Sequence, residues 1–246
     1  MLLETKNVSV TFGGVRAVDS VNFSVSNGEV RALIGPNGAG KTTFFNILSG
    51  RFSPSAGSIV FDGVDITGMP PRKIVRLGLV RTFQISSIFP GLTVFENVWA
   101  ACNTSHSLFE TILSPATRRS ISMKVDEILE TLQIQSLAGR TASELSYGDQ
   151  RVAEIAIALG LRPKLLLLDE PTAGMSPTET GRVVDLINKL RDDLTIVIVE
   201  HDMELIMNLA DRISVFERGR LLVEGSPAEI KANEEVRNIY LGTVTC

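Results

Sequence analysis

Residues 30–50 read "VRALIGPNGAGKTTFFNILSG". The opening run, "VRALIG" (30–35), is almost wholly apolar, short and without alternation, which suits a parallel strand buried on both faces. "GPNGAGKT" (35–42) then fits the pattern G-x-x-x-x-G-K-[ST], and "TFFNILSG" continues with helical character. A strand, a glycine loop and a helix in that order make an anion site. The glycines let backbone N–H groups wrap the α- and β-phosphates of a nucleotide, and the helix start favours negative charge. Lys41 reaches the β- and γ-phosphates, and the Thr42 hydroxyl ligates magnesium. Gly35, Pro36, Asn37, Gly38, Ala39, Gly40, Lys41, Thr42 and Thr43 are therefore candidate nucleotide-binding residues. A bare glycine turn would not need the strand before it and the helix after it.

Two more apolar runs lie far downstream, "LLLLDE" (165–170) and "TIVIVEH" (195–201). Each is followed by a helical pattern, so the three predict an α/β sheet with its ligand at the carboxyl ends of the strands. Asp169, at such an end, can hold a magnesium shell. Glu170 follows it, where a carboxylate can polarise an attacking water. Gln84 closes "LVRTFQ" at the end of another predicted strand and can contact magnesium or water. His201 ends "TIVIVEH"; on its own it would be an ordinary hydrogen-bonded histidine, and His106 has no motif around it.

Other segments alternate. "NVSVTF" (7–12), "VNFSVS" (21–26), "GSIVFDG" (57–63) and "RISVFERGRLLVEG" (212–225) read as antiparallel strands with glycine turns. "LTVFENVWAAC" and "MKVDEILETL" have helical spacing, with Val125, Ile128 and Leu132 on one face, and "SLAGRTAS" (136–143) reads as a loop. These features divide the chain into a core lobe of residues 1–85 and 161–246 and an inserted helical lobe of residues 86–160. "LSYGDQ" (145–150) precedes the run "RVAEIAIALG". Ser146 can cap that helix and Gly148 can admit a ligand, so a second anion-facing helix start is expected. S-x-x-D is also a capping box that needs no ligand.

The 246 residues carry a net charge of −4, with 44% apolar and 21% charged residues. That balance is globular and gives no support to a nucleic-acid partner. Two cysteines, Cys102 and Cys246, are too few for a disulfide framework and fit a reducing compartment. Met1–Asn7 lacks the apolar core of a signal peptide, and no run approaches a membrane span, so a soluble chain is expected.

Taken together, Phe12, "GPNGAGKT", Gln84, "LSYGD", "LLLLDE" and His201, in this order, resemble the nucleotide-binding subunit of ATP-binding cassette (ABC) transporters over essentially the whole chain. The resemblance implies the P-loop NTPase fold of ABC ATPases: a mostly parallel core sheet, an antiparallel β subdomain and a helical subdomain. It implies ATP and Mg2+ as ligands. Phe12 would stack on adenine, with Val18 among the nucleotide contacts. Thr42, Gln84 and Asp169 would serve magnesium, Glu170 would be the general base, and His201 would contact the γ-phosphate. Two such chains would face each other head to tail, so that Ser146 and Gly148 of one complete the nucleotide site of the other.

Three positions depart from the family's commonest pattern. The signature is usually Leu-Ser-Gly-Gly-Gln, and here Tyr147 and Asp149 replace two residues; Ser176 stands where an Asp is common. "TFGGVRAV" (11–18), "RTFQ" (81–84), Tyr147, "EPTAGMSP" (170–177), "VEHDM" (199–203) and "IYLG" (239–242) most resemble ATPases of branched-chain amino acid importers and their urea and amide relatives. That implies integral permease subunits, a second ATPase subunit that is a different chain or a second copy, a solute-binding protein, and a peripheral place on the cytoplasmic face of the inner membrane. An ATPase of lipopolysaccharide export and a nucleotide-binding module with weak turnover are the alternatives.

Overall fold

The structure is a computed structural model that describes residues 1–82, 88–105 and 114–241. The chain begins with two long strands, β1 (Leu3–Phe12) and β2 (Val15–Val25), then β3 (Val30–Ile34) and helix α1 (Lys41–Leu48). A short hairpin, β4 (Ala56–Phe61) and β5 (Val64–Asp65), leads to α2 (Pro71–Leu77) and β6 (Leu79–Arg81). Helices α3 (Val94–Cys102), α4 (Pro115–Thr131) and α5 (Tyr147–Gly160) follow. The chain then alternates through β7 (Leu165–Asp169), α6 (Pro177–Leu190), β8 (Thr195–Val199) and α7 (Met203–Leu209). It closes with the hairpin β9 (Arg212–Glu217) and β10 (Arg220–Gly225) and helices α8 (Pro227–Ala232) and α9 (Glu234–Leu241).

The three apolar runs form the middle of a six-stranded sheet of order β10-β9-β3-β8-β7-β6, parallel except for the β9–β10 pair. Every residue of β3, β7 and β8 is buried, because the sheet has a core on each face. Successive residues alternate between the two: Ala32, Leu166, Leu168, Ile196 and Ile198 enter one cluster, and Leu33, Leu165, Leu167 and Val197 the other. A strand apolar on both sides shows no alternation of apolar and polar residues in sequence.

The second sheet, β2-β1-β4-β5, is antiparallel and keeps a polar outer face. Its strands are bent where Asn7 and Ser20 take positive φ, and the buried face of β1 shifts there from Leu3 and Thr5 to Val8 and Val10. Helix α1 lies between the two sheets. Phe44 is fully buried there, edge-on to Phe23 of β2 (5.5 Å between ring centroids) and tilted on Phe216 of β9 (5.3 Å).

The hairpin of residues 212–225 is antiparallel as expected, yet it belongs to the main sheet rather than to the antiparallel one. β9 pairs in parallel with β3, because Ile213 through Phe216 are all buried and need cover on both faces. The helices α3, α4 and α5 pack through Val94, Val98, Val125, Leu129, Val152 and Ile155 into the same cluster that covers one sheet face. Leu132 is buried with them, and Ile128 packs at the edge. Gly160 lets α5 approach α3: a Cβ there would meet Ala101 at 3.0 Å. The 136–143 stretch, expected as loop, carries two 3-10 turns and a bridge from Thr141 to Thr93.

Candidate active site

The phosphate loop is held by contacts that exclude side chains. Gly35 has φ +151°, and a Cβ on it would lie 2.2 Å from the Phe216 carbonyl oxygen. Gly40, the N-cap of α1, has φ +103°, and its Cβ would lie 2.6 Å from the Ala17 carbonyl oxygen. The Gly219 N–H donates to the Ala39 carbonyl at 2.8 Å, which ties the loop to the β9–β10 turn. The first turn of α1 carries no acidic residue, so its unpaired N–H groups have no carboxylate of their own there. The Lys41 ammonium folds back on the loop and donates to the carbonyls of Gly35 (2.6 Å) and Pro36 (3.0 Å). Burial pushes its pKa down, against the opposing pull of the Glu170 and Asp169 carboxylates. Among the described residues the ammonium forms no ion pair, and a phosphate would supply one.

A cavity of about 180 Å³ opens over the loop. It brings Lys41, Thr42 and Thr43 together with Glu170 and His201, which follow the ends of β7 and β8. Glu170 sits at φ +49°, uncommon for a non-glycine residue. Its Oε1 lies 2.9 Å from His201 Nε2. Glu200 ties the two strand ends together, since its carboxylate accepts from the Thr172 N–H (2.8 Å), the Thr172 hydroxyl (2.6 Å) and the His201 N–H (3.2 Å). Asp169 is buried; its Oδ2 accepts from Arg81 Nη2 at 2.5 Å, and its Oδ1 has no hydrogen-bond partner among the described residues.

The second helix start is built as a separate unit. Ser146 caps α5 by accepting from the Asp149 N–H at 3.2 Å. Gly148 is buried beneath α6: a Cβ on it would lie 2.5 Å from Glu179 Oε1. Glu179 belongs to the capping box of α6, and the Ser176 hydroxyl and N–H hold its carboxyl below the usual range, with a smaller contribution from the Gly148 amide. Asp149 is turned to Arg182 of α6 (3.5 Å), and Tyr147 is exposed with the Arg151 guanidinium 5.0 Å above its ring. Neither Ser146 nor Gly148 lines the cavity over Lys41.

A strand-loop-helix phosphate cradle, a strand-end carboxylate pair and a capped second helix start thus occur together. The ABC transporter family profile matches residues 18–173, which span all three. The chain belongs to the ABC transporter family. A profile described as branched-chain amino acid ATP-binding cassette transporter matches residues 220–244. The high-affinity branched-chain amino acid transport ATP-binding protein BraF of Pseudomonas aeruginosa is 42% identical over 252 residues, covering 98% of each chain. Among solved structures, the ADP conformation of MJ1267, an ATP-binding cassette of an ABC transporter, superposes with a TM-score of 0.87 at 31% identity over 98% of both chains. The dimeric structure of MJ0796, a bacterial ABC transporter cassette, superposes with a TM-score of 0.79 at 25% identity over 92% of this chain and 98% of that one. The chain is thus the ATP-binding and ATP-hydrolysing subunit of an ABC transporter, close to the ATPases of branched-chain amino acid importers.

Within this ABC cassette the expected nucleotide residues are distributed unevenly. Phe12 ends β1, is 45% exposed, and packs edge-on against Phe52 (5.2 Å). Val18 needs a correction: its side chain is fully buried in the apolar core, and Ala17 lines the cavity instead, because adjacent strand residues face opposite ways. Gln84 and His106 lie outside the described residues. Sequence reasoning missed Arg81 as a site residue; its signal was a cation closing the apolar strand "LVR" (79–81). It also missed Glu179, although S-x-x-E at 176–179 is a capping-box pattern.

Proposed function

We propose that this chain drives an importer of branched-chain amino acids as one half of a head-to-tail ATPase pair, the other half being a different subunit. In this reading the pair works on two permease subunits and a solute-binding protein, and the chain lies peripherally on the cytoplasmic face of the inner membrane. No described helix is long and apolar enough to cross a membrane. The choice of solute is supported by the similarity to BraF and by the branched-chain profile over residues 220–244. An apolar cavity of about 150 Å³ between α2, β6 and α5, lined by Val75, Val80, Ile157 and Leu161, has room for an apolar side chain of a cytoplasmic permease helix.

The observation that carries the catalytic reading is the single cavity in which the Lys41 loop meets Glu170 and His201. Lys41 and the amides of the loop bind the β- and γ-phosphates. Thr42 and Asp169, with Gln84, would hold Mg2+, which would supply positive charge against the phosphates. The buried Oδ1 of Asp169, without a hydrogen-bond partner among the described residues, fits such a role. Glu170 takes the proton of the attacking water, and His201 orients it through Oε1. Ser146 and Gly148 close over the γ-phosphate of the opposite subunit, a reading supported by their position away from the chain's own cavity.

The test is Glu170→Gln in the assembled transporter. ATP binding is expected to persist while turnover falls by ~10²–10⁴-fold. Near wild-type turnover would move the general base to another group. In cells lacking this chain, uptake of labelled leucine, isoleucine and valine should fall and be restored by the wild type but not by the variant. Unchanged uptake of all three would reassign the solute.

A further inference from the structure

The guanidinium of Arg81 is placed where packing alone would call for an apolar side chain. It ends β6 after two buried residues, is itself buried, and lies over the Phe45 ring (5.5 Å). A buried cation is unfavourable unless well partnered. Its partners here come from two parts of the nucleotide site. Nη2 donates to Asp169 Oδ2 at 2.5 Å, at the end of β7. Nη1 donates to Asn46 Oδ1 at 2.8 Å and to the Ser49 hydroxyl at 3.4 Å, both in or just after α1, the helix whose first turn carries Thr42. Asp169 keeps its second oxygen without a hydrogen-bond partner among the described residues.

We propose that Arg81 is a positioning residue for the metal shell: its fork fixes the Asp169 carboxylate against α1 and leaves Oδ1 as the oxygen available to the cation that accompanies ATP. This rests on the reading of Thr42 and Asp169 as magnesium residues given above. Two arms are required, one to Asp169 and one to Asn46, and a planar guanidinium supplies both, whereas the point charge of lysine does not. Groups that orient a metal-holding side chain commonly contribute 10–100-fold to metal affinity.

The experiment measures the affinity of the full-length chain for a fluorescent ATP analogue, in EDTA and across a magnesium titration. For Arg81→Lys the magnesium concentration at half-effect should rise by ~10-fold or more, while the affinity in EDTA stays within about twofold of wild type. Asn46→Ala, which keeps the ion pair and removes its anchor, should shift the titration the same way by less, and it decides the question if Arg81→Lys does not fold. Unchanged titrations in the folded variants overturn the proposal. So does a tighter magnesium response, which would make Arg81 only a competing charge, and so does an equal loss in EDTA and magnesium, which would make its role purely structural. If the wild type itself shows no magnesium dependence, the magnesium reading falls and this proposal with it. A wild type that responds beside variants that respond identically removes this proposal alone.

Discussion

Lys41 occupies a setting that disfavours its own charge, and the consequence for stability has a definite sign. Burial lowers its folded pKa below the ordinary lysine value of 10.5. Between the two values the unfolded chain binds more protons than the folded one, so the stability contribution of this group rises with pH there. At neutral pH, below that window, the penalty is present in full. Lys41→Ala should therefore abolish ATP affinity in calorimetry while leaving the thermal midpoint of the nucleotide-free chain unchanged or raised. A lower midpoint with intact ATP affinity would show that the ammonium serves the loop rather than the ligand. At Glu170 the choice of substitution matters for a similar reason. Its backbone is held at φ +49°, so a glycine would relieve strain as well as remove the carboxylate, whereas glutamine changes only the acid.

Helix α1 has its nucleotide end set by packing on both sides, which makes Phe44 an energetic centre remote from any phosphate. Phe44→Ala removes a fully buried ring between Phe23 and Phe216 and should cost about 3–5 kcal/mol, read from denaturant unfolding. A cost below 1 kcal/mol would mean that the two sheets can close over the gap. At this scale much of the architecture was legible in the sequence. Unbroken apolar runs announced β3, β7 and β8, and the glycine-lysine loop between β3 and α1 announced the site, because these signals are local. The hairpin at 212–225 was legible as antiparallel, but not the parallel pairing of β9 with β3, because that depends on what covers the second face of β9. The strand-end cation Arg81 was visible but its role was not, because that role depends on Asn46 and Asp169, which lie 35 and 88 positions away. Ile88 and Val94 are core, while Phe89 is 61% exposed.

For the whole molecule, the separation of Ser146 and Gly148 from the chain's own phosphate cavity makes a distinctive prediction about pairs. Ser146→Arg should leave the ATP affinity of the isolated chain nearly unchanged and cut the turnover of the assembled pair. Mixing Lys41→Ala with Ser146→Arg places both lesions in one composite site of a head-to-tail pair. If the chain pairs with a second copy of itself, ATP-dependent association, followed by light scattering, should survive in the mixture though absent from either variant alone. If the natural partner is a different ATPase, the rescue should appear only with that partner. Loss of ATP binding by the isolated Ser146→Arg chain would remove the trans arrangement. The contact between the phosphate loop and the β9–β10 turn also bears on how the chain is made. Gly219 donates to Ala39 and accepts from the Asp19 N–H, Gly35 is packed on Phe216, and β3 lies between β8 and β9. During synthesis, residues 35–42 emerge early but meet the β9–β10 part of their support only after residue 219 has left the ribosome. A nascent chain therefore carries its nucleotide motif through most of translation without a nucleotide site, and ATP cannot stabilise the intermediate stages of its own receptor. Pairings this distant in sequence also slow folding, so binding competence and the completion of the fold should arrive together.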